Sequence, residues 1–281
     1  MRSGGDAGGG DRPACGEKDR DRPGDRGRGH GRLTVVGLGP GDAGLLAPMA
    51  RQAIEAARVV VGYGTYLALV SPELLAGKEV IRTGMTGEVA RCEAAVARAL
   101  AGDDTVVVSG GDAGVYGMAG LVLEILEARG LLDVLEFSVA PGIPALAGAA
   151  ALLGAPLTHD FASVSLSDLL TPWEVIEKRI DLAAQADFVL VLYNPRSKRR
   201  AGHLARAMEI IGAWRGPDTP VGVVRNAYRP GQEAFVTTLS GFDPGAVDML
   251  TIVIVGNAAS RNVSGRMLTP RGYEGKYGLS G

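Results

Sequence analysis

Three glycine-rich loops hold most of the chemistry this sequence could perform. They are Val36-Gly37-Leu38-Gly39-Pro40-Gly41-Asp42, Ser109-Gly110-Gly111-Asp112-Ala113-Gly114-Val115-Tyr116-Gly117 and Ala140-Pro141-Gly142-Ile143-Pro144-Ala145. Glycine lets main-chain N–H and C=O groups come close to a ligand, and each loop separates a strand-like run from a helix-like one, where α/β proteins bind nucleotides. The first loop is no dinucleotide fingerprint. Asp42 stands where the third glycine belongs, and no acidic residue ends the following Val59-Val60-Val61-Gly62. A Walker A loop needs Lys-Ser or Lys-Thr after Gly44, but Leu45-Leu46 follow. Asp42 reads as a cap. In the second loop Asp112 would repel a phosphate, yet it can accept hydrogen bonds from an amine or hydroxyl. That suits a sulfonium cofactor with an ammonium group. The competing reading of Asp112 is a capped turn with no ligand.

Positioning three such loops takes a sheet. From Leu33 onward, short β-branched runs alternate with longer helical ones, the pattern of an α/β fold with a largely parallel sheet. Strands are expected at 33–36, 58–61, 105–109, 137–140, 188–193, 220–225, 233–238 and 249–255. Apolar residues at helical spacing predict helices over 85–101, 115–130, 173–184 and 203–214. The last three strands are too close together for helical crossovers, so the second half should contain antiparallel pairs. The change of style near Pro156 divides the chain into two α/β domains, 33–157 and 158–281, with a cleft between them.

The remaining segments restrict the function classes. Residues 2–32 contain no Val, Ile, Leu, Met or aromatic residue, so they bury too little to offset their ordering entropy and are expected to be disordered. Arg26-Gly27-Arg28-Gly29 resembles an RNA-contacting run, but Asp6, Asp11, Asp19, Asp21 and Asp25 cancel much of its field, and no nucleic-acid partner is expected. The tail lacks the apolar core of a secretory signal, and its acids argue against a transit peptide, so a cytoplasmic protein is expected. Two cysteines, Cys15 and Cys92, cannot build a zinc or iron–sulfur site, and no protein-held metal is expected. Residues 137–158 carry no charge but include Pro141, Pro144 and Pro156, which favours a loop and a buried small-residue helix over a membrane span.

Taken in order, the motifs resemble the tetrapyrrole methylase family, the class III S-adenosylmethionine methyltransferases. They are Val-Gly-Leu-Gly-Pro-Gly-Asp at 36–42, Gly-Gly-Asp at 110–112, Pro-Gly-Ile-Pro-Ala at 141–145, Leu-Tyr-Asn-Pro at 192–195 and Thr-Ile-Val-Ile-Val-Gly-Asn at 251–257. Within the family, the segment from His159 through Ser-Leu-Ser-Asp-Leu-Leu-Thr-Pro to Trp173 is similar to the precorrin-3B C17-methyltransferases, as is the ending Thr269-Pro270-Arg271-Gly272-Tyr273. The resemblance implies two consecutive αβα domains with mixed, largely parallel sheets, a homodimer, a corrinoid precursor macrocycle as substrate, and S-adenosylmethionine held by loop main chain in the interdomain cleft. By position it assigns the cofactor to Pro40, Gly110, Gly111, Asp112, Val115, Pro144, Ala145, Asn194, Asn226 and Ala227. The C17 enzymes of this family also contract the ring, so a base near the C20 hydroxyl would help. His159 is the first choice for that base, against a reading in which it braces the interdomain segment. Asp168, otherwise a cap, and Tyr193, otherwise a packing residue, are further catalytic candidates. Substrate carboxylates call for arginines. The candidate clusters are Arg196-Ser197-Lys198-Arg199-Arg200, Arg225 with Arg229, and Arg261 with Arg266, each with a solvated surface as its alternative.

Overall fold

A computed structural model describes residues 29–197 and 201–278. Cys15, the tail up to residue 28, with the first three residues of its Arg-Gly run, and Lys198-Arg199-Arg200 lie outside the described residues.

The first half runs β1 (Leu33–Gly37), α1 (Pro48–Ala56), β2 (Val59–Tyr63), α2 (Gly64–Leu67), α3 (Pro72–Leu75), β3 (Glu79–Thr83), α4 (Glu88–Leu100), β4 (Thr105–Ser109), α5 (Ala119–Ala128) and β5 (Phe137–Ala140). Its five strands pair in the order β3-β2-β4-β1-β5, all parallel. The valine runs of β1, β2 and β4 suit a sheet covered on both faces. Val35, Val61 and Val107 pack against α4 and α5 through Cys92, Val96, Val122 and Leu126, while Val36, Val60 and Val108 pack against α1 through Ala50 and Ile54.

The second half contains α6 (Ala145–Leu153), β6 (Gly154–Ala155), β7 (Phe161–Ser165), α7 (Trp173–Gln185), β8 (Val189–Tyr193), α8 (His203–Gly212), β9 (Pro220–Arg225), β10 (Glu233–Thr238), β11 (Thr251–Val255), β12 (Arg261–Val263), β13 (Arg266–Leu268) and α9 (Tyr273–Tyr277). Its main sheet has the order β10-β9-β11-β8-β7, parallel between β7 and β8 and antiparallel elsewhere, as the short late connections required. One face carries α7 and α8 through Ile176, Ile180, Leu204 and Ile211, and the other carries α6 through Ala149 and Leu153. The boundary near Pro156 assigned α6 to the first unit. In the structure α6 packs on the second sheet through Ala149 and Leu153.

Five strands are absent from the sequence-based expectation: the short β6, β12 and β13, which form a separate three-stranded sheet, and β3 and β7 of the two main sheets. In the main sheets the reason is position. β3 and β7 are both sheet edges, paired on one side and half exposed, so neither needs a continuous apolar run. Residues 29–32, inside the stretch expected to be disordered, are described, and residues 30–32 are held by hydrogen bonds. Gly31 N–H donates to Ala99 O at 2.7 Å, His30 Nδ1 lies 2.7 Å from Leu100 O, and Arg32 N–H donates to Asp104 Oδ1 at 2.9 Å. Hydrogen bonds to the end of α4 and to Asp104 hold residues that contribute no apolar core.

Candidate functional site

The three glycine loops leave the carboxyl ends of β1, β4 and β5, adjacent strands, and meet main chain to main chain. Gly39 and Gly111 exchange both hydrogen bonds, each 2.9 Å. A Cβ on Gly142 would lie 2.3 Å from Gly111 O and 2.8 Å from Gly37 O, so only glycine permits this approach. Asp112 joins the second loop to the third. Its Oδ1 accepts from Gly114 N–H at 2.8 Å and Val115 N–H at 3.1 Å, and its Oδ2 accepts from Gly142 N–H at 3.0 Å. The carboxylate therefore acts first as a staple between loops. Asp42 Oδ1 caps a short 3-10 turn by accepting from Gly44 N–H at 2.7 Å.

The two halves meet at these loops. Pro144 and Ala145 open α6, and Leu146 N–H in its first turn donates to the Tyr193 hydroxyl at 2.9 Å. Tyr193 is 9% exposed, and burial pushes its pKa up to about 12, although the Leu146 hydrogen bond works the other way. It is a neutral phenol at physiological pH. Tyr116 lies against it, ring centroids 4.9 Å apart, and donates its hydroxyl to Ser163 O at 3.0 Å. Val115 joins the core beneath the second sheet. Asn194 follows Tyr193 at φ 51° and donates Nδ2–H to Ser165 Oγ at 2.9 Å. Asn226 has φ 49° in the turn after β9, with Ala227 beside it, and the same turn sends Arg229 Nε to Pro40 O at 2.5 Å. Pro40, Gly110, Gly111, Asp112, Pro144 and Ala145 thus lie at one junction, joined through Tyr193 and Arg229 to the segments of Asn194, Asn226 and Ala227.

The other catalytic candidates separate. His159 precedes β7, half exposed, and its Nδ1 accepts from Asp160 N–H at 2.8 Å. Asp160 O accepts from Val189 N–H, at the start of β8. His159 is therefore at the amino end of two parallel strands, and the five residues of β7 put about 13 Å between Phe161 and the Ser165 end. The structure does not bring it to the loops. Asp168 does lie beyond the carboxyl end of β7, 3.7 Å from His203 Nε2. His203 is stacked on Trp173 with centroids 3.9 Å apart, and its Nδ1 lies 3.1 Å from Leu166 O. The helix expected over 203–214 opens on His203, and tertiary structure starts it beside Asp168.

Most of the candidate arginines have partners. Arg225 pairs with Asp248 at 2.9 Å, Arg261 with Glu274 at 3.2 Å, and Arg196 donates to Gly245 O. Among the described residues no cluster of His, Cys, Asp and Glu could hold a metal ion.

Residues 32–243 match the family of tetrapyrrole (corrin/porphyrin) methylases. The chain belongs to that family. A probable cobalt-factor III C(17)-methyltransferase of Salmonella typhimurium is 52% identical over 86% of this chain and 99% of that protein. A precorrin-3B C(17)-methyltransferase of Sinorhizobium sp is 39% identical over 87% of this chain and 98% of its own length. Among solved structures, the methyltransferase CobJ superposes with TM-score 0.82 at 40% identity, covering 85% of this chain and 100% of that one. Uroporphyrin-III C-methyl transferase from Thermus thermophilus, complexed with S-adenyl homocysteine, has TM-score 0.59 at 26% identity over 80% of this chain and 97% of that one. In this methylase the loop junction brings main chain against main chain at Gly37, Gly111 and Gly142. Its groups fit an S-adenosyl cofactor: main-chain N–H and C=O groups, a carboxylate at Asp112 that accepts three loop amides, and no lysine in any of the three loops.

Proposed function

We propose that this protein is an S-adenosylmethionine-dependent C-methyltransferase acting on C17 of a corrin precursor at the precorrin-3B stage of cobalamin biosynthesis, with ring contraction. The observation that carries the reading is the junction of three glycine loops bound by Asp112, in a chain 52% identical to a probable cobalt-factor III C(17)-methyltransferase. Pro40, Gly110, Gly111, Asp112, Val115, Pro144, Ala145, Asn194, Asn226 and Ala227 are the residues assigned to the cofactor, which when bound supplies a methyl group on a sulfonium, already a good leaving group.

The chain's own contribution is placement. Near-attack geometry is worth on the order of 7–11 kcal/mol, and loops fixed to one another by main-chain bonds provide it without side-chain chemistry. A general base adds about 10²–10⁴-fold. Tyr193, buried and with its pKa at about 12, does not fill that role near neutrality. Asp168, beyond the carboxyl end of β7 and beside His203, is better placed than His159. We also propose a homodimer working in the cytoplasm, and two α/β units divided between β5 and α6, because α6 packs under the second sheet. No helix among the described residues is long and apolar enough to cross a membrane.

Metal-free precorrin-3B and its cobalt-bearing counterpart are both named for relatives. The deciding experiment offers each macrocycle with labelled cofactor and identifies the product by mass and carbon NMR. Methylation at C17 supports the proposal. Tight NAD binding without any response to S-adenosylhomocysteine would overturn it.

A further inference from the structure

Arg229 stands in the turn between β9 and β10, where Asn226 and Tyr228 both hold positive φ, 49° and 56°. Those two left-handed residues turn the chain so that the Arg229 side chain crosses to the first half. Nε donates to Pro40 O at 2.5 Å. The aliphatic stem passes over Gly41 so closely that a Cβ there would lie 2.4 Å from Arg229 Cγ, and Gly41 has φ 149°, so glycine is required on both counts. Tyr66, whose ring covers Gly110 of the second loop, is near enough to act electrostatically on the guanidinium. Arg229 is therefore beside two of the three glycine loops.

Its charge is uncompensated. Burial pulls its pKa below the ordinary arginine value, with Tyr66 opposing. Among the described residues no carboxylate lies within 4.0 Å of it, whereas Arg225, four residues earlier, is held by Asp248. Neither Nη has a hydrogen-bond partner among the described residues, yet both keep access to solvent, since the one fully buried side-chain nitrogen or oxygen without a partner there is Arg98 Nε. With Nε committed to Pro40, the terminal pair of Nη groups remains, and that edge of a guanidinium is the one that takes a carboxylate through two parallel hydrogen bonds.

We propose that Arg229 is the carboxylate anchor of the junction, holding a ligand's carboxylate on its two Nη groups while Nε fixes the first loop through Pro40. The inference rests on the loops being the ligand site. Two sources present this chemistry, the amino-acid end of the cofactor and a side chain of the macrocycle.

The test titrates the full-length protein, R229Q and R229K with S-adenosylhomocysteine and with 5′-methylthioadenosine, which keeps the nucleoside and thioether but has no carboxylate. Macrocycle affinity is read separately by fluorescence. R229Q should lose about 10- to 100-fold in affinity for one carboxylate-bearing ligand, with methylthioadenosine binding unchanged and R229K recovering part of the loss. A loss confined to S-adenosylhomocysteine assigns the cofactor's carboxylate, and a loss confined to the macrocycle assigns the substrate's. Equal weakening of S-adenosylhomocysteine and methylthioadenosine would reduce Arg229 to a brace for Pro40 and overturn the proposal, as would no change for any ligand. A wild-type protein that ignores S-adenosylhomocysteine overturns the methyltransferase reading instead, and the macrocycle arm then decides Arg229 alone. Binding of neither ligand overturns both.

Discussion

Tyr193 illustrates how burial assigns a role to a residue. Its hydroxyl accepts Leu146 N–H and its pKa stands at about 12 instead of 10.0, because burial disfavours the phenolate. A folded-state pKa raised in this way leaves stability intact below pH 10 and removes it as the pH rises through 12. Two pK units correspond to about 2–3 kcal/mol. Subtracting the thermal midpoint of Tyr193→Phe from that of wild type across pH 9–12 should give a difference that shrinks toward high pH. The subtraction is needed because Cys92, its pKa raised by burial to about 11, titrates in the same range. Below pH 9 the variant should be less stable by about 1–3 kcal/mol, since Leu146 N–H loses its acceptor. For His159, at the amino end of β7, His159→Asn should turn over within about twofold of wild type, against the roughly 10²–10⁴-fold loss expected of a general base. A single-turnover rate reduced a hundredfold would return it to the catalytic list.

At the scale of elements, the loop junction depends on which carboxylate oxygen each amide uses. Asp112→Asn can keep a carbonyl oxygen toward Gly114 and Val115, but it then turns an amide donor toward Gly142 N–H. The second loop should retain its turn while its connection to the third is lost. We expect S-adenosylhomocysteine affinity to fall with little change in thermal midpoint, whereas Asp112→Ala, which leaves all three amides without their acceptor, should lower stability as well, by about 1–3 kcal/mol. Calorimetric titration alongside thermal melts distinguishes the two variants. Identical behaviour would mean that the Gly114 and Val115 bonds carry no weight beyond the Gly142 connection that both variants lose.

Over the whole molecule, residues 30–32 are tied to the end of α4 and to Asp104. A chain beginning at residue 33 loses the Gly31–Ala99, His30–Leu100 and Arg32–Asp104 hydrogen bonds, and should melt about 2–4 °C below one beginning at residue 29. Equal midpoints would show these bonds to be replaced by water at no cost. What the sequence determined by itself follows from local physics. Valine runs separated by glycine turns specify parallel strands with loops at their carboxyl ends, and the short late connections specify antiparallel pairing. The missing third glycine and missing lysine exclude phosphate cradles without any coordinates. Tertiary structure decided the rest, because it depends on chain far away in sequence. β3 and β7 are strands only because a neighbour pairs with one edge of each. Tyr193 is a buried, neutral group because α6 lies on it. His159 and Asp168 are only nine residues apart, yet a strand between them places them at opposite ends of a sheet. Arg229 meets Pro40, 189 positions away, because two left-handed residues in one turn aim it across the junction, a direction that no local pattern encodes.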